Sequence, residues 1–243
     1  MARRIQTDNL SVKRSRVERS DRTKNAIIET ARQLFTRNGY ASTSTEELIK
    51  RARSSRGGLY HHFRDKEDVF CAVFERVQRE AYKRTLAVMA AEPDPWKRLV
   101  RACLEYIDAS MEPSFQQIVI RDGPSVLTRV RLDQVQANAG ALPLGEGMLR
   151  MSLQEAMDAG IIEPEPAWSL GFLISGLVEV VSRVIAMSSD RDQQANRKIL
   201  AAAFVRLLER LRIDTLDKKR IAKGTKPQRN KITPDAKRKK GRL

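Results

Sequence analysis

From Ser55 to Phe63 the chain reads Ser-Arg-Gly-Gly-Leu-Tyr-His-His-Phe, residue types suited to contact with a polyanion. Set on a helix, Leu59 and Phe63 share one face at a spacing of four, leaving Arg56, Gly57, Tyr60 and His61 on the other. The Arg56 guanidinium can bond the edge of a guanine through two donors. The Tyr60 hydroxyl can reach a phosphate, or its ring a thymine methyl. Gly57 and Gly58 each cost a helix about 1 kcal/mol relative to Ala; in return they permit close approach of the backbone to DNA. His61 and His62 could be read as metal ligands, but neighbours on a helix diverge by about 100° and do not easily share one ion. No metal and no cofactor is expected.

Such a run needs elements to hold it. From Asp21 a helical period appears, with Ile27, Ile28, Ala31, Leu34 and Phe35 on one face. Asn38-Gly39 ends it, Gly39 being able to take the left-handed stop conformation. Ser44-Thr45-Glu46-Glu47 is a capping box in which Ser44 caps and Glu47 reaches back. A short helix follows with Leu48, Ile49 and Ala52 inward, and Arg53-Ser54-Ser55 breaks it. After the second short helix Asp65 caps a longer one, striped by Val69, Phe70, Val73, Phe74 and Val77. Residues 44–63 are therefore two short helices with a break, the arrangement in which one helix braces and the next lies in the major groove. That groove is about 12 Å wide and admits one helix. Lys66, and the free backbone N–H groups at the helix starts near Thr45 and Lys66, can meet phosphate.

The run Thr30-Ala31, Leu34-Phe35, Asn38-Gly39-Tyr40, Thr43-Ser44-Thr45, Ile49, Ala52, Ser55 to Phe63 and Asp65-Lys66-Glu67 resembles the DNA-binding domain of the TetR family of regulators, over roughly residues 21–81. The resemblance implies an all-α fold: a three-helix DNA-binding domain, then a long fourth helix leading to a helical body that binds ligand and dimerises. It implies that Thr45 contacts a backbone phosphate and that Ser55 and Arg56 sit at the groove edge. Gly57, Tyr60 and His61 would face bases and phosphates, His62 would touch phosphate, and Lys66 would anchor the DNA backbone. It also implies a palindromic operator released when a small ligand acts through the helix 66–90. The sequence departs from the family at Arg53, where Gly is usual, and at Ser54, where Val is commoner. A non-Gly residue at 53 must take a strained conformation, or the turn must differ.

Beyond residue 90 everything reads as helix with short breaks. Pro93 and Pro95 precede a helix from Trp96 to about Met111, and Pro113 precedes one from Ser114 to Asp122. Gly123-Pro124 forces a break, and 125–143 is ambiguous. Helices follow at about 144–159, 165–188 and 191–212, and no strand alternation is visible. Residues 90–212 form the expected regulatory and dimerisation domain. The last two helices are the dimer candidates. One carries Gly171, Ser175 and Gly176 among Leu170, Phe172, Ile174, Leu177 and Val178; the other carries Leu200, Phe204, Leu207, Leu208 and Leu211. Paired with their copies they would make a four-helix bundle; the alternative is that these stripes pack inside one subunit. Trp96, Tyr106, Phe115, Ile118, Met148, Met151 and Trp168 could line a ligand pocket or be plain core. Arg121-Asp122 could hold a polar ligand group or form a surface ion pair.

Charge is unevenly spread. The formal net charge is +16, but residues 25–216 hold 26 Lys/Arg against 25 Asp/Glu. The excess lies in residues 1–24, with 8 against 3, and 217–243, with 12 against 2. Residues 1–20 are expected to be a disordered basic arm and 213–243 a disordered basic tail. They would add salt-sensitive, sequence-independent DNA affinity or simply solubilise the chain; the N-terminal arm could also enter the minor groove as homeodomain arms do. An N-terminus without an apolar core is not a secretory signal, and Glu179, Ser182 and Arg183 interrupt the apolar stretch 170–187, so a cytoplasmic protein without a membrane span is expected. Cys71 and Cys103 fall in apolar helical patterns and read as buried free thiols. With two His, both in the reading helix, and no nucleophile set or phosphate-cradling loop, an enzyme is not expected. The rival to a sequence-specific repressor is an architectural protein that coats DNA through its tails, with little sequence preference.

Overall fold

The computed structural model describes residues 2–138 and 147–213. The expected basic tail lies outside the described residues from 214 onward, and so does the loose stretch expected around Asn138–Gly140, from 139 to 146. The chain forms helices α1 (Ala2–Asn38), α2 (Thr45–Arg51), α3 (Arg56–His62), α4 (Lys66–Ala90) and α5 (Pro95–Ala109). A π-helix (Phe115–Asp122) comes next, then α6 (Gly123–Val126), α7 (Arg129–Asn138), α8 (Met148–Asp158), α9 (Ala167–Met187) and α10 (Asp190–Glu209). Among the described residues β pairing is limited to one isolated bridge, Ile162 with Arg212.

Two expectations are corrected here. The first twenty residues were expected to be irregular, yet α1 starts at Ala2. Residues 2–38 contain no Gly or Pro, and Arg, Gln, Glu and Leu are good helix formers. With no stop signal, the helix nucleated around Ile27 can run back toward the start. At Gly123-Pro124 the break is only partial. Gly123 keeps helical angles (φ −48°, ψ −55°) and Pro124 sits in the first turn of α6, where its missing N–H costs nothing.

The core is divided in two. The head cluster joins Ile27, Ala31, Leu34 and Phe35 of α1, Leu48 of α2 and Leu59 of α3 to the stripe Val69, Phe70, Val73, Phe74 and Val77 of α4. The same cluster runs on into Phe115 and Ile118 of the π-helix. The body cluster joins Trp96, Leu99, Cys103 and Ile107 of α5 to Leu149 and Leu153 of α8, Ile174 and Val178 of α9 and Phe204 and Leu208 of α10. Both cysteines are free and buried, and burial pushes the Cys103 thiol up to about 12.

α9 is long and apolar enough to cross a membrane by length and composition. Here Ile174, Val178, Ser182 and Ile185 face the body. The opposite side exposes Trp168, Phe172, Leu173, Leu177, Val180, Val184 and Met187, and α10 adds Ile199 and Leu207. The two dimer-candidate stripes are thus each split: Ile174, Val178, Phe204 and Leu208 serve the subunit's own core, while Phe172, Leu177, Leu207 and Leu211 are exposed.

Candidate nucleic-acid interface

The reading helix is held by caps and by two apolar side chains. Ser55 is extended (φ −88°, ψ 162°) and its Oγ accepts from Gly58 N at 2.9 Å, a neutral N-cap bond. Ser44 caps α2 in the same way, accepting from Glu47 N at 3.1 Å. The Glu47 carboxylate stands 3.3 Å from Arg51 Nε, one turn on rather than back at the cap. Asp65 caps α4, accepting from Asp68 N at 2.7 Å. Leu59 is fully buried and Phe63 nearly so. The outward face of α3 then carries Arg56, Gly57, Tyr60 and His61, all exposed, with Tyr60 44% exposed. His62 is half-buried, its ring 5.0 Å from that of His61. Burial, then the charges of His61 and Lys24, hold its imidazole below the ordinary histidine pKa.

The glycine pair divides by role. A Cβ on Gly57 would meet nothing nearer than Ser55 Oγ at 3.9 Å. One on Gly58 would lie 2.7 Å from Ser54 Oγ and 3.2 Å from the capping Ser55 Oγ. Gly58 therefore makes room for the cap, while Gly57 leaves bare backbone on the outward face. The turn before α3 takes the strained form that a non-Gly residue requires: Arg53 has φ 51°, while Arg53 N and Ser54 N donate to Lys50 O and Ile49 O.

Lys66 is tied into the head. Its ammonium donates to Tyr40 O at 2.9 Å and Thr43 O at 3.0 Å and stands 4.1 Å over the Tyr40 ring. Two of its three donors are spent inside the protein, so it clamps the α1–α2 turn instead of standing free for phosphate. Thr45, half-buried at the start of α2, donates to Glu46 at 3.3 Å.

Behind the head, Asp68 of α4 accepts from Arg64 Nε at 2.6 Å and also from Arg131 of α7. Arg131 Nε in turn approaches Cys71 Sγ at 3.1 Å. These donors, Arg64 first, hold the Asp68 carboxyl far below the usual carboxylate range. A depressed carboxylate stabilises the fold fully above its unfolded pKa of about 4, and that stability is lost as pH falls through the folded value.

The seven pocket candidates do not come together. Trp96 is buried, donating from Nε1 to Glu209 at 2.7 Å. Phe115 and Ile118 are buried in the head cluster, with Tyr106 edge-on to Phe115 at 5.5 Å. Met148 is buried in α8. Met151 and Trp168 are each 65% exposed, on faces that look away from the interior. Two clefts lie elsewhere. One of about 470 Å³ is bordered by Ile162, Leu170 and Arg210; one of about 600 Å³, between α1 and the loop before the π-helix, is bordered by Arg32, Glu112 and Ser114. The pair Arg121-Asp122 is neither a ligand grip nor an ion pair: Arg121 Nη2 donates to Ala186 O at 2.7 Å and Asp122 Oδ2 accepts from Tyr40 N at 2.9 Å.

Sequence reasoning missed the Ser55 cap, though a Ser three residues before Gly58 is a readable signal. It also missed the Lys66 and Asp122 contacts, which pair residues 23 to 82 positions apart and leave no local pattern.

Comparison with known proteins bears on both halves. Residues 27–73 match the family profile "Bacterial regulatory proteins, tetR family", and residues 96–211 match "Tetracyclin repressor-like, C-terminal domain". The HTH-type transcriptional regulator QacR of Staphylococcus aureus is 44% identical over 50 residues, 21% of this chain and 27% of that protein. The HTH-type transcriptional regulator AcrR of Shigella flexneri is 27% identical over 104 residues, 42% of this chain and 48% of that protein. The chain thus spans from about a quarter to about half of the length of these two relatives. A crystal structure of a TetR-family transcriptional regulator from Pectobacterium atrosepticum shares 27% identity at a TM-score of 0.68, covering 81% of this chain and 97% of that one. These matched proteins are transcriptional regulators, not enzymes. Two profiles in tandem, the helix-turn-helix with its caps and the helical body behind it lead to one assignment: the chain belongs to the TetR family of transcriptional regulators.

Proposed function

We propose that the chain is a cytoplasmic, homodimeric repressor that reads a near-palindromic DNA operator and leaves it when a small molecule binds the body. The observation that carries this reading is the exposed row Arg56, Gly57, Tyr60 and His61 on α3, set over the buried Leu59 and Phe63. With α3 in the major groove, Arg56 and Tyr60 meet base edges and Gly57 lets the backbone close on the duplex. His61 faces bases and phosphates from within the row, and Thr45, Ser55 and His62 flank it at the phosphates, with Gly58 keeping the Ser55 cap in place. Lys66 serves by holding the turn ahead of α2. Residues 21–81 act as the DNA-binding domain and 90–212 as the regulatory and dimerisation domain. The apolar outer face of α9, with Ile199 and Leu207 of α10, supports a two-fold four-helix interface. Paired reading helices about 34–36 Å apart then match half-sites one helical turn apart. The effector acts by binding better to a different head spacing.

The deciding test is selection of bound duplexes from a random-sequence pool with the full chain. A recovered palindrome, with half-sites about one turn or a simple multiple apart, supports the reading. Recovery of the starting mixture, with equal affinity for every duplex, replaces it with architectural coating by the basic ends.

A further inference from the structure

The turn between α1 and α2 is gripped from two sides at one residue. Tyr40 gives its N–H to Asp122 Oδ2 at 2.9 Å and its carbonyl accepts from Lys66 Nζ at 2.9 Å. Lys66 opens α4, the covalent link from head to body. Asp122 closes the π-helix, which bridges the two cores: Phe115 and Ile118 pack in the head cluster, while its polar side chains reach the body. Next to Asp122, Arg121 donates to Ala186 O at the end of α9, and Gln116 exchanges bonds with Gln193 of α10 at 3.1 and 3.3 Å. The fit at the turn is close. Gly39 has φ +77°, and a Cβ there would stand 3.4 Å from Gln117 Nε2. Just past Asp122, at the same end of the π-helix, a Cβ on Gly123 would press Phe74 of α4 at 2.8 Å. The π-helix therefore touches the head turn, α4 and the two helices with exposed apolar faces.

We propose that Asp122 is a positioning residue for operator binding: through Tyr40 N it fixes the first turn of the head to the body, so that head orientation is set by the π-helix as well as by α4. This rests on the repressor reading above. Asp122 touches no DNA in that reading; it acts through Tyr40 on the turn whose last residue, Ser44, caps α2. The grip is also releasable. π-Helices are rare and frequently occur at functional sites. A slip of this one toward α-type bonding drops a residue from the register and rotates the residues beyond the slip by about 100°. That rotation carries Asp122 off Tyr40 N and leaves the turn held by Lys66 of α4.

The experiment compares the full-length wild type with Asp122→Ala and Asp122→Asn on the selected palindrome and on a mixed-sequence duplex at low salt. Thermal unfolding and sedimentation are run alongside. Loss of one such bond predicts operator affinity about five- to tenfold weaker for Asp122→Ala, with mixed-sequence affinity, oligomeric state and melting temperature unchanged. Asp122→Asn keeps a carbonyl acceptor and restores operator affinity to within about twofold. The proposal is overturned by wild-type operator affinity in Asp122→Ala, by an equal loss on both duplexes with a lowered melting temperature, or by failure of Asp122→Asn to rescue. A wild type that selects no palindrome refutes the repressor reading itself, a result distinguishable from all of these.

Discussion

α3 and α9 are both helices with one buried and one open face, and the open faces are opposite in kind. On α3 the open face is seven residues long, polar, and interrupted by a glycine that bares the backbone. On α9 it runs over 21 residues and exposes Phe172 at 68% and Leu173 at 61%. A short polar face with free donors suits a hydrated polyanion. A long apolar face is stable in water only when another apolar surface covers it. The difference suits the two faces to partners of opposite chemistry, a duplex for α3 and a second copy's α9 in the proposed dimer.

Four substitutions break or sharpen that contrast. The largest effect is expected from Leu177→Glu, which puts a charge on the open face of α9 in both copies. It should weaken self-association by about two orders of magnitude or more, seen by sedimentation as a monomer that keeps its helical content; an unchanged dimer would mean that α9 faces something else. Next is Tyr60→Ala, expected to weaken operator binding about tenfold to a hundredfold with oligomeric state and melting temperature intact. Normal operator affinity would remove Tyr60 from the interface. Gly57→Ala separates stability from binding: with space for the methyl, α3 should gain about 0.5–1 kcal/mol, measured by denaturant unfolding, while operator affinity falls. A gain in both would show that the duplex does not approach that backbone. The smallest effect belongs to Arg53→Gly. It removes a left-handed strain of about 1–2 kcal/mol but gives back about 0.5–1 kcal/mol of unfolded-chain entropy, a net gain between zero and about 1.5 kcal/mol by the same assay. Destabilisation there would mean that the Arg53 side chain makes a contact that outweighs the strain.

The head was legible because its signals are local. A capping serine, a left-handed stop at Gly39 and apolar residues four apart all act within one or two turns, so Leu59, Phe63 and the outward row could be sorted from sequence. The strain at Arg53 was readable for the same reason: a turn that favours Gly imposes its angle on whatever residue stands there. The body resisted. Apolar spacing located α9 and α10 but could not say which of Ile174 and Leu177 faces inward, since both are apolar and tertiary packing alone decides. The pocket list met the same obstacle: Met151 and Trp168 have the composition of a lining, but which way they face is set by the register of α8 and α9 against α5. The π-helix, the Lys66 clamp and the Asp122 bond arise from contacts far apart in sequence, and no periodicity encodes them.

The unbroken course of α1 has a consequence for the basic start of the chain. Thirty-seven residues of helix reach about 55 Å at 1.5 Å per residue, and an α-helix with its side chains is about 10–12 Å across. The minor groove is about 6 Å wide. An extended strand threads that groove; a cylinder of this girth does not. While this helix persists, the arginines ahead of the head are carried on a stiff spar that the minor groove does not admit.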